Sequence, residues 1–238
     1  MKRITATGVP RIGLIEFPGS NCDRDCADAF WRHFGIKLQP VWHTERVLPN
    51  LDAVLLPGGF SYGDYLRSGA LAAHSPIMAA VKSFVASGGP ALGICNGFQV
   101  LTESHLLPGA LLRNQGRKFI CKAVDLMAGS GESVYCRSLA SRRLRVPIAH
   151  GEGRYHIDND GLQRLRDNGQ VAFRYVDQNG AATADANPNG ALDNIAGIVS
   201  ENGRVLGLMP HPERATDLLI GGSADGLAIL ESFLTSFM

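Results

Sequence analysis

The chain has 238 residues, 45% hydrophobic and 19% charged, which is enough apolar surface for a folded core and too little charge for a disordered segment. Its 23 basic and 22 acidic residues leave a formal net charge of +1, and neither sign runs in blocks, so nothing in the composition gathers nucleic acid or an anionic membrane. Glycine is the outlier, at 28 residues where about 7% is usual; without a collagen or linker period, these glycines are expected at tight turns and close approaches.

The chain opens with Met1, Lys2 and Arg3, but Thr5, Thr7, Gly8, Pro10, Arg11 and Glu16 interrupt any apolar leader. No later run is long enough to span a bilayer, so a cytoplasmic protein is expected. Residues 11–17 form an apolar run that stops at Pro18-Gly19-Ser20-Asn21. Residues 22–34 then show helical spacing through Cys22, Cys26, Ala29, Phe30 and Phe34, giving strand, turn and helix. Residues 38–43 read as a strand, 53–56 as a buried strand entering Pro57-Gly58-Gly59, 70–86 as one helix, 91–94 as a strand and 96–107 as a helix. Repeated strand–helix units imply an α/β fold of three layers, αβα, around a mostly parallel sheet covered on both faces.

From Leu111 onward the alternation gives way to short β-like runs at 119–127, 133–137 and 145–149, with a polar helix near 161–167. Added antiparallel strands are expected there. Residues 177–194 are so rich in Asn, Asp, Gly and Ala that they read as a long surface loop. Residues 195–200 and 205–209 flank Asn202-Gly203, a hairpin turn signal. A last helix from Asp225 carries Leu227, Leu230, Leu234 and Phe237 on one face for the core. No repeat or linker divides the chain, so a single domain over 1–238 is expected.

Five cysteines, Cys22, Cys26, Cys95, Cys121 and Cys136, are an odd number in a chain large enough to fold without staples, and free thiols are expected. One of them stands apart. Ala91-Leu92-Gly93-Ile94-Cys95-Asn96-Gly97-Phe98-Gln99 reads as a strand, a cysteine bracketed by Gly93 and Gly97, and a helix. This is the pattern of a nucleophile elbow, where glycines two before and two after the nucleophile let strand and helix pass without Cβ clashes. A helix N-terminus also favours thiolate over thiol. Taken alone, G-x-C-x-G is equally a small buried residue at a tight turn.

A nucleophile needs a base, and Met209-Pro210-His211-Pro212-Glu213 follows another apolar run. The flanking prolines favour an extended segment, in which His211 and Glu213, two apart, face one side. A carboxylate on one imidazole nitrogen leaves the other free to handle the thiol proton. Acyl transfer further needs oxyanion donors, for which the N–H groups of Asn96 and Gly59 are placed after two different strands. By itself H-x-E fits a solvated turn, and Pro57-Gly58-Gly59 an ordinary glycine turn.

Other groupings carry less. Cys22 and Cys26 sit four apart on a helix with no second ligand pair and read as core packing. His150-Gly151-Glu152-Gly153-Arg154-Tyr155-His156 holds two histidines and a glutamate without a supporting metal pattern, so no metal is expected. The stretch from Phe60 to Arg67 is a lid, a docking surface or a plain connection. No Walker A or dinucleotide glycine loop opens a helix, so nucleotide chemistry is not expected of this chain.

Five blocks now stand together: Phe17-Pro18-Gly19-Ser20-Asn21-Cys22-Asp23, Pro57-Gly58-Gly59-Phe60-Ser61-Tyr62-Gly63-Asp64, Gly93-Ile94-Cys95-Asn96-Gly97-Phe98-Gln99, Ala149-His150-Gly151-Glu152-Gly153 and Met209-Pro210-His211-Pro212-Glu213-Arg214. With its downstream H-P-E, the G-x-C-x-G-x-Q elbow resembles the class I (triad) glutamine amidotransferases. The five blocks resemble, within them, the glutaminase subunits of phosphoribosylformylglycinamidine synthases. The resemblance implies the flavodoxin-like fold of that class, with Cys95 as nucleophile, His211 as base and then acid, and Glu213 as its orienter. It also implies oxyanion donors at Gly59 and Asn96, and contacts to L-glutamine from Gln99, His150 and Gly151. Ammonia would pass to a synthetase subunit, assembled with a small accessory subunit, that uses ATP and Mg to make formylglycinamidine ribonucleotide in purine synthesis; no cofactor would sit on this chain. Two other readings remain open here, a glutaminase serving a different synthetase and a non-catalytic α/β module whose Cys95 senses redox state. A cysteine hydrolase with its histidine next to the nucleophile is disfavoured, since Asn96 stands there.

Overall fold

The structure, a computed structural model, describes residues 8–238; Met1, Lys2 and Arg3, which could open a leader, and Thr5 and Thr7, which interrupt it, lie outside the described residues. The first half alternates as its hydrophobic pattern requires: β1 (Ile12–Glu16), α1 (Asp23–Phe34), β2 (Gln39–Trp42), β3 (Ala53–Leu56), α2 (Ala70–Ala73), α3 (Ile77–Ala86), β4 (Ala91–Ile94) and α4 (Asn96–Glu103). Every residue of β3 and β4 is buried. Because successive strand residues point to opposite faces, such strands must be covered on both sides. The second half runs β5 (Ala110–Leu112), β6 (Ile120–Ala128), α5 (Val134–Ser138), β7 (Arg143–His150), β8 (Arg154–His156), α6 (Asn159–Asp167), β9 (Val171–Val176), β10 (Ile195–Val199), β11 (Val205–Leu208), α7 (Leu218–Gly221) and α8 (Gly226–Thr235).

Among the described residues nine strands form one sheet in the order β2-β1-β3-β4-β11-β10-β9-β6-β7, and β5 and β8 pair as a separate ribbon. From β2 to β11 the neighbours are parallel; from β11 to β7 they are antiparallel. The expected antiparallel strands therefore continue the same sheet. The hairpin at Asn202-Gly203 joins β10 to β11 and returns the chain beside β4, in the middle of the sheet. Among the described residues no helix is long and apolar enough to cross a membrane.

Several elements depart from the sequence reading, two of them because of a single residue. The single helix over 70–86 is two helices, α2 and α3, separated at Ser75-Pro76, because proline lacks an N–H and pushes the residue before it out of the helical region. The β-like run 133–137 is helix α5, whose N-cap Ser133 accepts a hydrogen bond from the Cys136 N–H at 3.2 Å. Strand β9, unread in the sequence, lies between β10 and β6.

Helix α4 is seated very close to the sheet. A Cβ on Gly97 would stand 2.0 Å from the Leu56 carbonyl oxygen on β3. Gly207 on β11, the register partner of Gly93, lies beneath Phe98 and Leu107. Elsewhere α1 and α8 pack through Phe30 and Phe233, rings edge-on at 6.5 Å.

Candidate active site

The elbow forms as its glycines allow. Cys95, between β4 and α4, adopts φ 50° and ψ −104°, a positive φ that a non-glycine side chain holds only where its surroundings enforce it. Its N–H donates to the Leu208 carbonyl at 2.8 Å, anchoring the turn to β11. Cys95 is 4% exposed and stands at the N-terminus of α4.

Since β11 runs parallel to β4 with Leu208 beside Ile94, the residues after each strand emerge at the same sheet end, where α/β proteins place their sites. His211 follows β11, is fixed by its N–H to the Pro147 carbonyl at 2.8 Å, and is buried. The extended stretch ends at His211; Pro212–Arg214 form a 3-10 turn that brings Glu213 back under the ring. Imidazole Nδ1 and Glu213 Oε1 are 2.7 Å apart. Burial opposes the imidazolium, but Glu213, then Cys95 and Cys22, outweigh it and hold the His211 pKa well above its usual value. The Nδ1–H thus donates to Glu213, and Nε2 has no hydrogen-bond partner among the described residues.

The first two sequence blocks build the loop facing Cys95. Phe60 N–H donates to the Gly19 carbonyl at 2.9 Å, and Cys22 N–H to the Gly58 carbonyl at 3.4 Å, so the turn after β1 grips the turn after β3. Gly59 has φ 136°, and a Cβ there would stand 2.6 Å from the Asn21 nitrogen, which leaves glycine as the residue that fits. The Ser61 N–H donates to Asn96 Oδ1 at 3.2 Å and ties this loop to the elbow helix. The following stretch is a pinned connection: Tyr62, Asp64 and Leu66 all have positive φ, and the Tyr62 hydroxyl meets His43 Nδ1 at 2.7 Å and Ser75 Oγ at 2.9 Å.

Cys95 opens into a cleft of about 280 Å³ that Gly59, Gln99, His150 and Gly151 also line. Gln99 Oε1 accepts from Asn96 Nδ2 at 2.9 Å while its Nε2 donates to the Glu152 carbonyl, so this side chain braces the wall. Burial, then the neighbouring His211, lowers the His150 pKa to about 4, keeping this ring neutral. Its Nδ1 lies 3.1 Å from Asn114 Oδ1 and its Nε2 is unpartnered among the described residues. His156, by contrast, is exposed on β8, so the two histidines of that block do not converge. At the rim stand Asp64 and Glu152, with Arg113, Arg117 and Lys118; burial pushes the Asp64 pKa up to about 6, and Glu152 adds to the rise.

The sequence reading missed three contributors. The Asn-rich stretch 177–194 is not wholly a surface loop. Asn189 is 1% exposed, donates from Nδ2 to the Gly153 carbonyl at 2.8 Å and accepts the Gln115 N–H on its own carbonyl at 2.9 Å. It therefore backs the cleft wall together with Asn114, whose Nδ2 donates to the His150 carbonyl at 2.9 Å. Cys22 is the third: Cys26 is core, but Cys22 Sγ lies with His211 and Glu213 in a trio whose polar atoms are within 4.8 Å of one another. The Arg214 guanidinium donates to that sulfur at 3.1 Å, which opposes a cation there. All five cysteines are unbonded.

Residues 9–222 match the model of the CobB/CobQ-like glutamine amidotransferase domain. The chain is 53% identical over 222 residues to the phosphoribosylformylglycinamidine synthase subunit PurQ of Chlorobaculum parvum, covering 93% of this chain and 88% of that one. It is 53% identical over 226 residues to the protein of the same name from Thermomicrobium roseum, covering 94% and 95%. Among solved structures, a chain of PurLQS from Thermotoga maritima superposes with a TM-score of 0.82 at 40% identity, over 97% of this chain and 100% of that one. With a family match across most of its length and half its residues shared with such relatives, this chain belongs to the CobB/CobQ-like glutamine amidotransferase family.

Proposed function

We propose that the chain is the glutaminase subunit of phosphoribosylformylglycinamidine synthase, a cytoplasmic enzyme of purine biosynthesis, and that all of 1–238 acts as one amidotransferase domain. The observation that carries the chemistry is a cysteine in strained backbone whose strand lies beside the one leading to a buried His211–Glu213 pair. The kinship with synthase subunits supports the pathway.

In this reading the Cys95 thiolate attacks the side-chain amide carbon of L-glutamine. The oxyanion so formed is held by the N–H groups of Gly59 and Asn96. His211, charged and free at Nε2, delivers its proton to the departing nitrogen, and the C–N bond breaks to leave ammonia and a γ-glutamyl thioester. Neutral His211 then takes a proton from water; the hydroxide attacks the thioester and glutamate leaves. Gln99, His150 and Gly151 contact the substrate from the cleft wall. At the rim, Asp64 and Glu152 suit the α-ammonium group and the nearby Arg113, Arg117 and Lys118 the α-carboxylate. Ammonia passes to the synthetase subunit, which assembles with a small accessory subunit; ATP and Mg belong to that synthetase and no cofactor or metal to this chain.

The test is glutamate release from glutamine by wild type and Cys95→Ala, each with and without the synthetase, its substrates and the accessory subunit. Release that needs Cys95 and rises when the complex is loaded is expected. Cys95-dependent release indifferent to the complex would reassign the pathway, and release that survives Cys95→Ala would overturn the mechanism.

A further inference from the structure

The triad described above leaves a polar neighbour unaccounted for. Cys22, the N-cap residue of α1, is 3% exposed, and its sulfur lies within 4.8 Å of polar atoms of both His211 and Glu213. Gly58 makes this approach possible: a Cβ there would stand 2.8 Å from His211 Cε1 and 3.1 Å from Cys22 Sγ. The sulfur is fastened from behind by Arg214, whose Nη2 donates to it at 3.1 Å while Nε donates to Asp25 at 2.9 Å. Glu213 uses Oε1 on His211, and its Oε2, fully buried, has no partner among the described residues. A buried carboxylate oxygen left so costs free energy unless polar groups around it compensate.

We propose that Cys22 is a positioning residue for the amide hydrolysis: its sulfur, held by Arg214, backs the His211 ring and the Glu213 carboxylate and keeps them aligned on Cys95. The inference rests on the roles of Cys95, His211 and Glu213 given under the proposed function. Around His211 stand Glu213 and Arg214 from its own turn, Cys95 from the elbow, Cys22 from the start of α1 and His150 from β7. Asp25 lies behind Arg214, and burial and then the Glu213 charge hold the pKa of Cys26, in α1, well above its usual value. Of these, the Cys22 sulfur joins Glu213 and Cys95 in favouring the imidazolium, whereas burial opposes it. Sulfur lone pairs beside the ring favour its charged form; a methyl group in their place does not.

The experiment uses the assembled complex with its synthetase and accessory subunit, and measures glutamate release against pH for wild type, Cys22→Ala, Cys22→Ser and Cys22→Val, with Cys95→Ala as the blank. In the thiolate–imidazolium form, the alkaline limb of kcat/KM reports loss of the His211 proton needed by the leaving nitrogen. Cys22→Ala and Cys22→Val are expected to lower kcat about tenfold through lost alignment, with KM changed less than about twofold. Both should move the alkaline limb down by about half a pH unit or more. Cys22→Ser, which keeps a polar atom, is expected to restore most of the rate and the limb. A wild-type limb and kcat in Cys22→Ala or Cys22→Val would overturn the proposal, as would Cys22→Val behaving like wild type while Cys22→Ser fails, since bulk alone would then suffice. If wild type shows no release above the Cys95→Ala blank, the site reading itself falls and this inference with it.

Discussion

Gly97→Ala sets two well-measured effects against each other. In a helix, alanine is favoured over glycine by about 1 kcal/mol, so on propensity alone the variant should be more stable. The structure reverses the sign. The added Cβ would stand 2.0 Å from the Leu56 carbonyl oxygen and 2.7 Å from its carbon, where non-bonded heavy atoms settle at about 3.5 Å. Both are backbone atoms of a central strand and cannot rotate away, so α4 must lift by about 1 Å, loosening Phe98 and Leu101, which are fully buried. Overpacking of this kind costs about 1 to 3 kcal/mol, and with a backbone neighbour the upper half applies, leaving a net loss of about 1 to 2 kcal/mol. At about 2 to 4 °C per kcal/mol for a chain of this size, the melting temperature should fall by several degrees. The catalytic loss should be larger, because α4 carries Cys95 and Asn96 at its start, and a displacement near 1 Å costs about a hundredfold in rate. Calorimetry and glutamate release by the assembled complex read the two effects. An unchanged or raised melting temperature with wild-type kcat would refute the claim that α4 is seated on β3 by its glycine.

Three further outcomes are expected. Glu213→Gln should lower kcat by about a hundredfold or more by removing the orienting carboxylate, read as glutamate release. Because folded His211 holds its proton more tightly than the unfolded chain does, this pair's contribution to stability is complete below about pH 6.5 and is lost as pH rises through the folded value. The melting temperature difference between wild type and Glu213→Gln should therefore shrink in alkaline solution. Asn189→Ala should destabilise by about 1 to 3 kcal/mol, since it leaves the buried Gly153 carbonyl without its donor, and should raise KM for glutamine more than it lowers kcat. Asp64, which ionises only above about pH 6, should make KM rise as pH falls through that value; Asp64→Asn should show a high KM with that pH dependence gone.

Much of this was legible along the chain because it depends on local rules. The period of apolar residues found β1, β3, β4, α1 and the hairpin of β10 and β11, and the paired glycines around Cys95 marked the elbow, because strand and helix can cross that closely only without side chains in the way. Local chemistry also produced the misreadings. Pro76 split a helix that apolar spacing had made continuous, and Ser133 capped a helix where composition favoured a strand. Burial, by contrast, belongs to the neighbours. The Asn-rich stretch has the composition of a surface loop, yet Asn189 is enclosed because the Gly153 carbonyl and the Gln115 N–H take its hydrogen bonds. Cys22 looks like core at helical spacing with Cys26, and only the return of β11 beside β4 brings His211, Glu213 and Arg214 against it. Candidate residues for the chemistry, and the turns able to hold them in strained backbone, can be read from side-chain type and spacing along the chain. Which of those residues meet, and how their charges shift one another, was decided by the tertiary structure alone, because strand order sets distances between residues far apart in the chain and electrostatic coupling falls with distance.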